Sequence, residues 1–122
     1  MSEFQPPVPI FRSFNEQVTR EFYINFLGFE IEFEHRFEPN TPLYLGVRNG
    51  ACLLHLSEHH GDSTPGSAIR IDVPDVHDYC RRLNEKKYRH ARPGVQSQSW
   101  GYDDMSITDP SGNTLIFCTP RS

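Results

Sequence analysis

The segment WGYDDMSITDPSGNTLIF, residues 100–117, has the pattern of two strands joined by a tight turn. Asp109-Pro110-Ser111-Gly112 matches a type I turn, because Asp at the first position, Pro at the second and Gly at the fourth each favour that geometry. Trp100, just ahead of this hairpin, is the only tryptophan of the chain. We therefore expect a C-terminal β-hairpin whose turn serves folding rather than chemistry.

The first half of the chain predicts one helix and four strands. Residues 8–11 are a short apolar run that fits a strand, and Asn15 is a suitable N-cap for the helix that follows. The face of that helix is predicted from the four-residue spacing of Val18, Phe22 and Phe26, with Leu27 beside them and Gly28 as the C-cap. Phe29, Ile31 and Phe33 alternate with glutamates, which predicts a strand with one solvated face. Two more strands, 43–47 and 51–57, flank an Asn49-Gly50 hairpin turn.

The second half repeats this order of elements. Residues 68–73 fit a strand, and Asp75 caps a helix whose apolar face carries Val76, Tyr79, Cys80 and Leu83. A weaker strand at 93–96 and the C-terminal hairpin follow. We therefore predict an α+β chain forming a single domain over 1–122, made of two tandem βαβββ modules (8–57 and 68–118) with curved mixed sheets and a polar linker at 58–67.

Composition narrows the possible partners. A net charge of −4 argues against a nucleic-acid binder, whose phosphate contacts need a basic surface, and is compatible with a cationic ligand. No apolar run approaches the roughly 18 residues of a membrane span, and residues 1–7 lack signal-peptide features, so we expect no membrane partner and a cytoplasmic location. The cysteines, Cys52, Cys80 and Cys118, are expected to be buried free thiols.

Two motifs and the doubled βαβββ pattern resemble the vicinal oxygen chelate superfamily, which contains glyoxalase I, extradiol dioxygenases and bleomycin resistance proteins. The motifs are Phe22-Tyr23 with Leu27-Gly28-Phe29, and Asp109-Pro110-Ser111-Gly112-Asn113 before the last strand. The resemblance covers residues 8–119 and implies the glyoxalase/bleomycin resistance fold. Both motifs are explained by folding alone, so they indicate a fold and no reaction.

The metal-dependent members of that superfamily use four ligands, and the resemblance carries these onto Val8, His55, Ala68 and Ile116. Of the four, His55 alone has a donor atom for a divalent cation. A shift of one residue brings in Pro9, Ile69 and Phe117, which are no better. We therefore expect neither a metal nor any other cofactor.

The resemblance is then strongest to the bleomycin resistance branch, through Leu54-His55-Leu56-Ser57 and Trp100-Gly101. It implies a homodimer that binds a bleomycin-type glycopeptide, or a similar flat cationic molecule, without chemical change. Trp100 is the candidate stacking platform, Asp103 or Asp104 the partner of a cationic group, and His55 a hydrogen-bonding group. The full candidate ligand-binding set is Trp100, His55, Tyr102, Asp103, Phe33, Phe37 and Tyr44, with no catalytic residue.

Two other functions remain open from the sequence. One is a glyoxalase-like or dioxygenase-like enzyme with an atypical metal site built on His55. The other is a small-molecule binding module for a different ligand. Each candidate aromatic residue also fits a purely structural role, and His59 and His60 with Glu58 and Asp62 fit a solvated loop.

Overall fold

The computed structural model describes residues 4–122. Within this range the predicted order βαβββ occurs twice. The strands are β1 (Ile10–Arg12), β2 (Glu30–His35), β3 (Tyr44–Asn49), β4 (Cys52–Ser57), β5 (Ala68–Asp72), β6 (Gln96–Ser97), β7 (Tyr102–Thr108) and β8 (Thr114–Pro120). Helix α1 (Glu16–Arg20) continues directly as a π-helical segment (Glu21–Phe26), and α2 spans Val76–Glu85. Neither helix of the described chain is long and apolar enough to cross a membrane.

The strands form two four-stranded mixed sheets of the same design. Their orders are β1-β4-β3-β2 and β5-β8-β7-β6. In each sheet the first strand pairs in parallel with the fourth, and the other neighbours are antiparallel. The predicted α+β fold of two tandem βαβββ modules is therefore confirmed.

Local turn and cap signals account for most element ends. The Gly112 amide donates to the Asp109 carbonyl at 3.1 Å, which closes the predicted four-residue turn. The Asn49-Gly50 hairpin is present, with Asn49 opposite Cys52 and Gly50 at φ 60°. Asn15 accepts a hydrogen bond from the Val18 amide, and Asp75 accepts from the amides of His77 and Asp78, so both predicted N-caps are confirmed.

The two recognisable motifs contact each other and join the halves of the chain. The Tyr23 hydroxyl donates to the Asp109 carboxylate at 2.6 Å, and the Asn113 side chain donates to the Arg12 carbonyl at 2.9 Å. Burial, together with the nearby Asp109 charge, raises the pKa of Tyr23 well above its ordinary value. The Asp109–Asn113 turn therefore connects the two modules as well as reversing the chain.

Three local predictions were wrong. Val18 is 39% exposed, because the buried face begins at Thr19 and continues through Phe22, Tyr23, Phe26 and Leu27 at ordinary helical spacing. The strand predicted at 93–96 lies at Gln96–Ser97. Among the free thiols Cys118 alone is buried, and Cys52 and Cys80 are half-buried.

Strand β2 also differs from its prediction. All six of its residues are exposed, so neither face is buried within the described chain. It is the edge strand of its sheet, and Ile31 and Phe33 are 41% and 37% exposed. A β-bulge between Ile31 and Phe33 interrupts the alternation, so that Ile31 lies opposite Val47 and Phe33 lies opposite Gly46, on different faces of the sheet.

Candidate functional site

The first sheet buries one face and leaves the other open. Its buried side packs in the core with the helical residues, through Leu45, Val47, Leu54 and Leu56. Strand pairing places a second row of residues, Ile10, His55, Gly46 and Phe33, side by side across all four strands. Because residues alternate between the two faces of a strand, this row lies on the opposite side. We call that side the open face.

Three aromatic rings form a cluster on the open face. The Phe33 and Tyr44 rings stack with centroids 6.1 Å apart and planes 10° apart. The His55 ring meets each of them edge-on at 5.2 Å. The Tyr44 hydroxyl and His55 Nδ1 are 2.9 Å apart and share a hydrogen bond. The structure thus brings together three of the predicted residues, and we call them the aromatic cluster.

Gly46 allows this cluster to form. A Cβ at residue 46 would lie 2.2 Å from the nearest carbon of the Phe33 ring, far inside van der Waals contact. The ring therefore lies against the backbone of β3, in space that any side chain at residue 46 would occupy. An interior glycine in a strand is a sign of such an approach, and it is the signal in the sequence that could have revealed it.

The environment of Tyr44 favours the uncharged form of its hydroxyl. Burial, and secondarily the Asp62 carboxylate, raise the pKa of Tyr44. Asp62 is held in place by the Ser57 hydroxyl, which donates to it at 2.6 Å. Tyr44 is therefore a neutral phenol at physiological pH, able to donate one hydrogen bond.

The positions that would hold a superfamily metal do not fit one. Ile10 lies directly opposite His55, and Arg70 lies directly opposite Ile116. The predicted positions Val8 and Ala68 lie two residues earlier and offer no donor either. Isoleucine has no lone pair, and the arginine brings a positive charge. Across residues 4–122 no group of three or more His, Cys, Asp or Glu side chains is placed to hold a metal ion.

The second sheet carries an ion pair on the face that is equivalent to the open face of the first sheet. Arg70 donates two hydrogen bonds to Asp104, at 3.1 and 3.0 Å. Its guanidinium lies 5.4 Å from the centroid of the Tyr102 ring. Asp104 is 8% exposed, so this bidentate pair is firmly fixed. The acid that pairs with Arg70 is therefore Asp104, which the candidate set did not include.

Asp103 lies on the helix side of β7 and not with the other candidates. Its carboxylate bonds to His77 of α2 at 2.8 Å, to Ser97 of β6 at 2.8 Å and to Arg121 at 2.9 Å. These three bonds lower the pKa of Asp103 to about 2. The alternation of strand residues explains the placement, and the prediction that Asp103 meets a ligand finds no support in these contacts.

Trp100 and Phe37 are surface residues outside the aromatic cluster. Trp100 is 62% exposed in the loop between β6 and β7. Phe37 is 76% exposed, and its ring lies edge-on to those of His35 and His59 at 4.9 and 5.9 Å. Both therefore offer accessible ring surface, and the Phe37 ring contacts His35, which lies opposite Tyr44 in the sheet.

Two grooves elsewhere on the described chain contain none of the seven candidates. One, of about 450 Å³, lies between the modules beside α2, where Tyr79, Arg82 and Lys86 line it. The other, of about 250 Å³, is lined by Phe22, Tyr88 and Pro110 among others. The aromatic cluster lies outside both of these grooves.

Comparison with known proteins gives one family and several similar folds. The family model for glyoxalase superfamily proteins matches residues 2–122. The bleomycin-binding protein of bleomycin-producing Streptomyces verticillus, solved with copper(II)-bleomycin, is 27% identical over 100% of both chains, with a TM-score of 0.70. A bleomycin resistance determinant encoded on transposon Tn5 is 19% identical over 98% of this chain and 100% of its own, with a TM-score of 0.75. A glyoxalase family protein from Bacillus anthracis is 13% identical over 99% and 100%, with a TM-score of 0.74. No curated protein matches the chain in sequence.

Proposed function

The chain belongs to the glyoxalase superfamily, and from that premise we propose that it binds a bleomycin-type glycopeptide, or a similar flat cationic small molecule, and sequesters it unchanged. The observation that carries the proposal is the aromatic cluster at the place where metal-dependent relatives would hold their ion. Stacked neutral rings offer π surface to a planar or cationic group. The polar atoms of the cluster, the Tyr44 hydroxyl and the His55 ring nitrogens, can hydrogen-bond to a bound molecule.

Relatives support this choice of ligand. The Streptomyces verticillus protein was solved with copper(II)-bleomycin, and at 27% identity it resembles this chain over its full length. The Tn5 determinant, at 19% identity, supports the fold alone. The ligand class therefore rests on one relative together with the chemistry of the open face.

A homodimer is part of the proposal. A single open face can hold one side of a ligand, but it cannot exclude water from the other side. Ile10 and Phe33, 39% and 37% exposed, leave an apolar surface on the open face that a second copy would cover. In this arrangement the binding cleft lies between copies, with Trp100 and Tyr102 able to provide a further wall. Sedimentation at micromolar concentration should give twice the mass of the chain, and a monomer with full drug affinity would contradict the shared cleft.

The binding test is a titration of metal-free bleomycin followed by calorimetry and by Trp100 fluorescence. We expect saturable binding at micromolar drug, and mass spectrometry of the released drug should find it unaltered. Absence of both heat and fluorescence change would contradict the proposal. Stoichiometric, tightly held Zn, Ni, Fe or Mn in the purified protein would instead support the enzyme alternative.

A matched pair of variants ties the binding to the open face. His55→Ala removes one ring of the aromatic cluster and its bond to Tyr44, and should weaken binding by roughly 1–2 kcal/mol. His90→Ala, an exposed histidine next to Tyr88, should leave binding unchanged. Equal affinity in the two variants would exclude the aromatic cluster from the binding site.

A further inference from the structure

The loop that carries Trp100 has little support from its own strands. Residues 98–101 connect β6 to β7, and β6 is two residues long with two paired positions, Gln96 with Asp104 and Ser97 with Asp103. The Gly101 amide donates to the Gln98 carbonyl at 3.2 Å, and the Gln98 amide donates to the Tyr102 carbonyl at 2.7 Å. A short hairpin with an exposed tryptophan at its tip is marginal in water without outside contacts.

The C-terminal Arg121 provides such contacts. Its guanidinium donates to the carbonyls of Gln98 and Tyr102, both at 2.8 Å, and to the Asp103 carboxylate at 2.9 Å. Its backbone amide donates to the Gly101 carbonyl at 2.8 Å. One residue therefore bonds to both ends of the loop, and three of its four acceptors are backbone carbonyls.

Asp103, at the base of the Trp100 loop, holds Arg121 in place. The same carboxylate that accepts from Arg121 also accepts from Ser97 and bonds to His77. It thereby links α2, β6 and the C-terminal segment at the base of the Trp100 loop. Charge-assisted bonds of this kind are stronger than neutral ones, so Arg121 is itself held in position.

We infer that Arg121 is a positioning residue, which fixes the Trp100 loop so that the indole is preorganised for a ligand. The affinity part of this inference rests on the proposed drug binding, whereas the ordering of the loop does not. Arg121 touches no ligand in this account. It acts through the loop backbone, and it also gives Asp103 a role other than ligand contact.

The test compares Arg121→Ala with Arg121→Lys and with Arg89→Ala, an exposed arginine elsewhere on the surface. Amide ¹⁵N relaxation of the free protein should give order parameters near 0.85 for Ser99 and Trp100 in wild type and below about 0.6 in Arg121→Ala. Arg121→Lys should lie between them, because one ammonium cannot reproduce the fork of a guanidinium. Arg89→Ala should match wild type.

The same variants are then titrated with metal-free bleomycin. Arg121→Ala should weaken binding by roughly 2- to 12-fold, since a loosened loop must be ordered on binding. Unchanged order parameters in Arg121→Ala would overturn the inference whether or not the drug binds. If the loop were loosened in Arg121→Ala but bleomycin affinity stayed unchanged, Arg121 would not preorganise the indole for binding. If the wild-type protein bound no drug, the proposed function would be rejected. The relaxation data would still test whether Arg121 orders the Trp100 loop.

Discussion

Replacing Gly46 with alanine tests the geometry of the open face directly. The new Cβ would lie 2.2, 2.6 and 2.7 Å from three carbons of the Phe33 ring. Ordinary contact between carbons is about 3.5–4.0 Å, so the ring must move by more than about 1 Å. Phe33 is 37% exposed and can swing outward, which breaks its ring pairs with Tyr44 and His55.

The size of the effect follows from those two lost pairs. Each is worth roughly 0.5–1.5 kcal/mol, and partial exposure places both at the low end. We expect the free energy of unfolding to fall by about 1 kcal/mol, with a melting temperature about 4 °C lower. Bleomycin affinity should weaken by roughly 1–2 kcal/mol, because the aromatic surface is no longer assembled.

The assay is chemical unfolding together with calorimetric titration, and the chain offers a matched control. Gly94 has open space where a Cβ would be added and no positive φ, so Gly94→Ala should behave as wild type. In a Phe33→Ala background the clash is absent, and Gly46→Ala should then add almost no destabilisation. If Gly46→Ala resembled Gly94→Ala in both stability and affinity, the close approach of Phe33 to β3 would be refuted.

Three other predictions separate binding from folding. Trp100→Ala should weaken bleomycin binding by roughly 1–3 kcal/mol with little change in melting temperature, and unchanged calorimetric affinity would remove Trp100 from the site. Tyr23→Phe deletes the 2.6 Å bond to Asp109 and should lower unfolding free energy by roughly 1–3 kcal/mol in denaturant titrations without changing drug affinity. The pKa of Asp103 is lowered to about 2, so its stabilising effect is present above its ordinary pKa and disappears as pH falls towards 2. The stability difference between wild type and Asp103→Asn should therefore shrink between pH 5 and pH 2, and a constant difference would contradict the lowered pKa.

Local signals in the sequence determined most of the architecture. The Asp109–Gly112 turn, the Asn49-Gly50 hairpin and the two N-caps depend on residues within four positions of each other, and the structure reproduces them. The π-helical segment was not predictable in this way. Tyr23 lies beside Phe22 on the buried face, and its hydroxyl meets Asp109 across 86 residues of sequence. Helical periodicity carries no information about such a partner.

The candidate site, like the fold, was predictable from the sequence only in part. Phe33, Tyr44 and His55 were predicted separately from their residue types, but their assembly depends on strand register and on the bare backbone at Gly46. Alternation predicts that Asp103 and Asp104 face opposite sides, yet it does not say which of them faces the helix. That choice is set by the pairing of β7 with β8 and by His77 and Arg121, which are 26 and 18 residues away along the chain.

Protection of DNA tests sequestration most directly. Plasmid DNA is exposed to a fixed amount of active bleomycin with increasing amounts of the protein, and strand breaks are counted. Breakage should fall in proportion to added protein and stop once binding sites equal drug molecules. Denaturing the protein should then release drug of unchanged mass and full cleaving activity. Undiminished breakage at excess protein, or the release of chemically altered drug, would contradict the account.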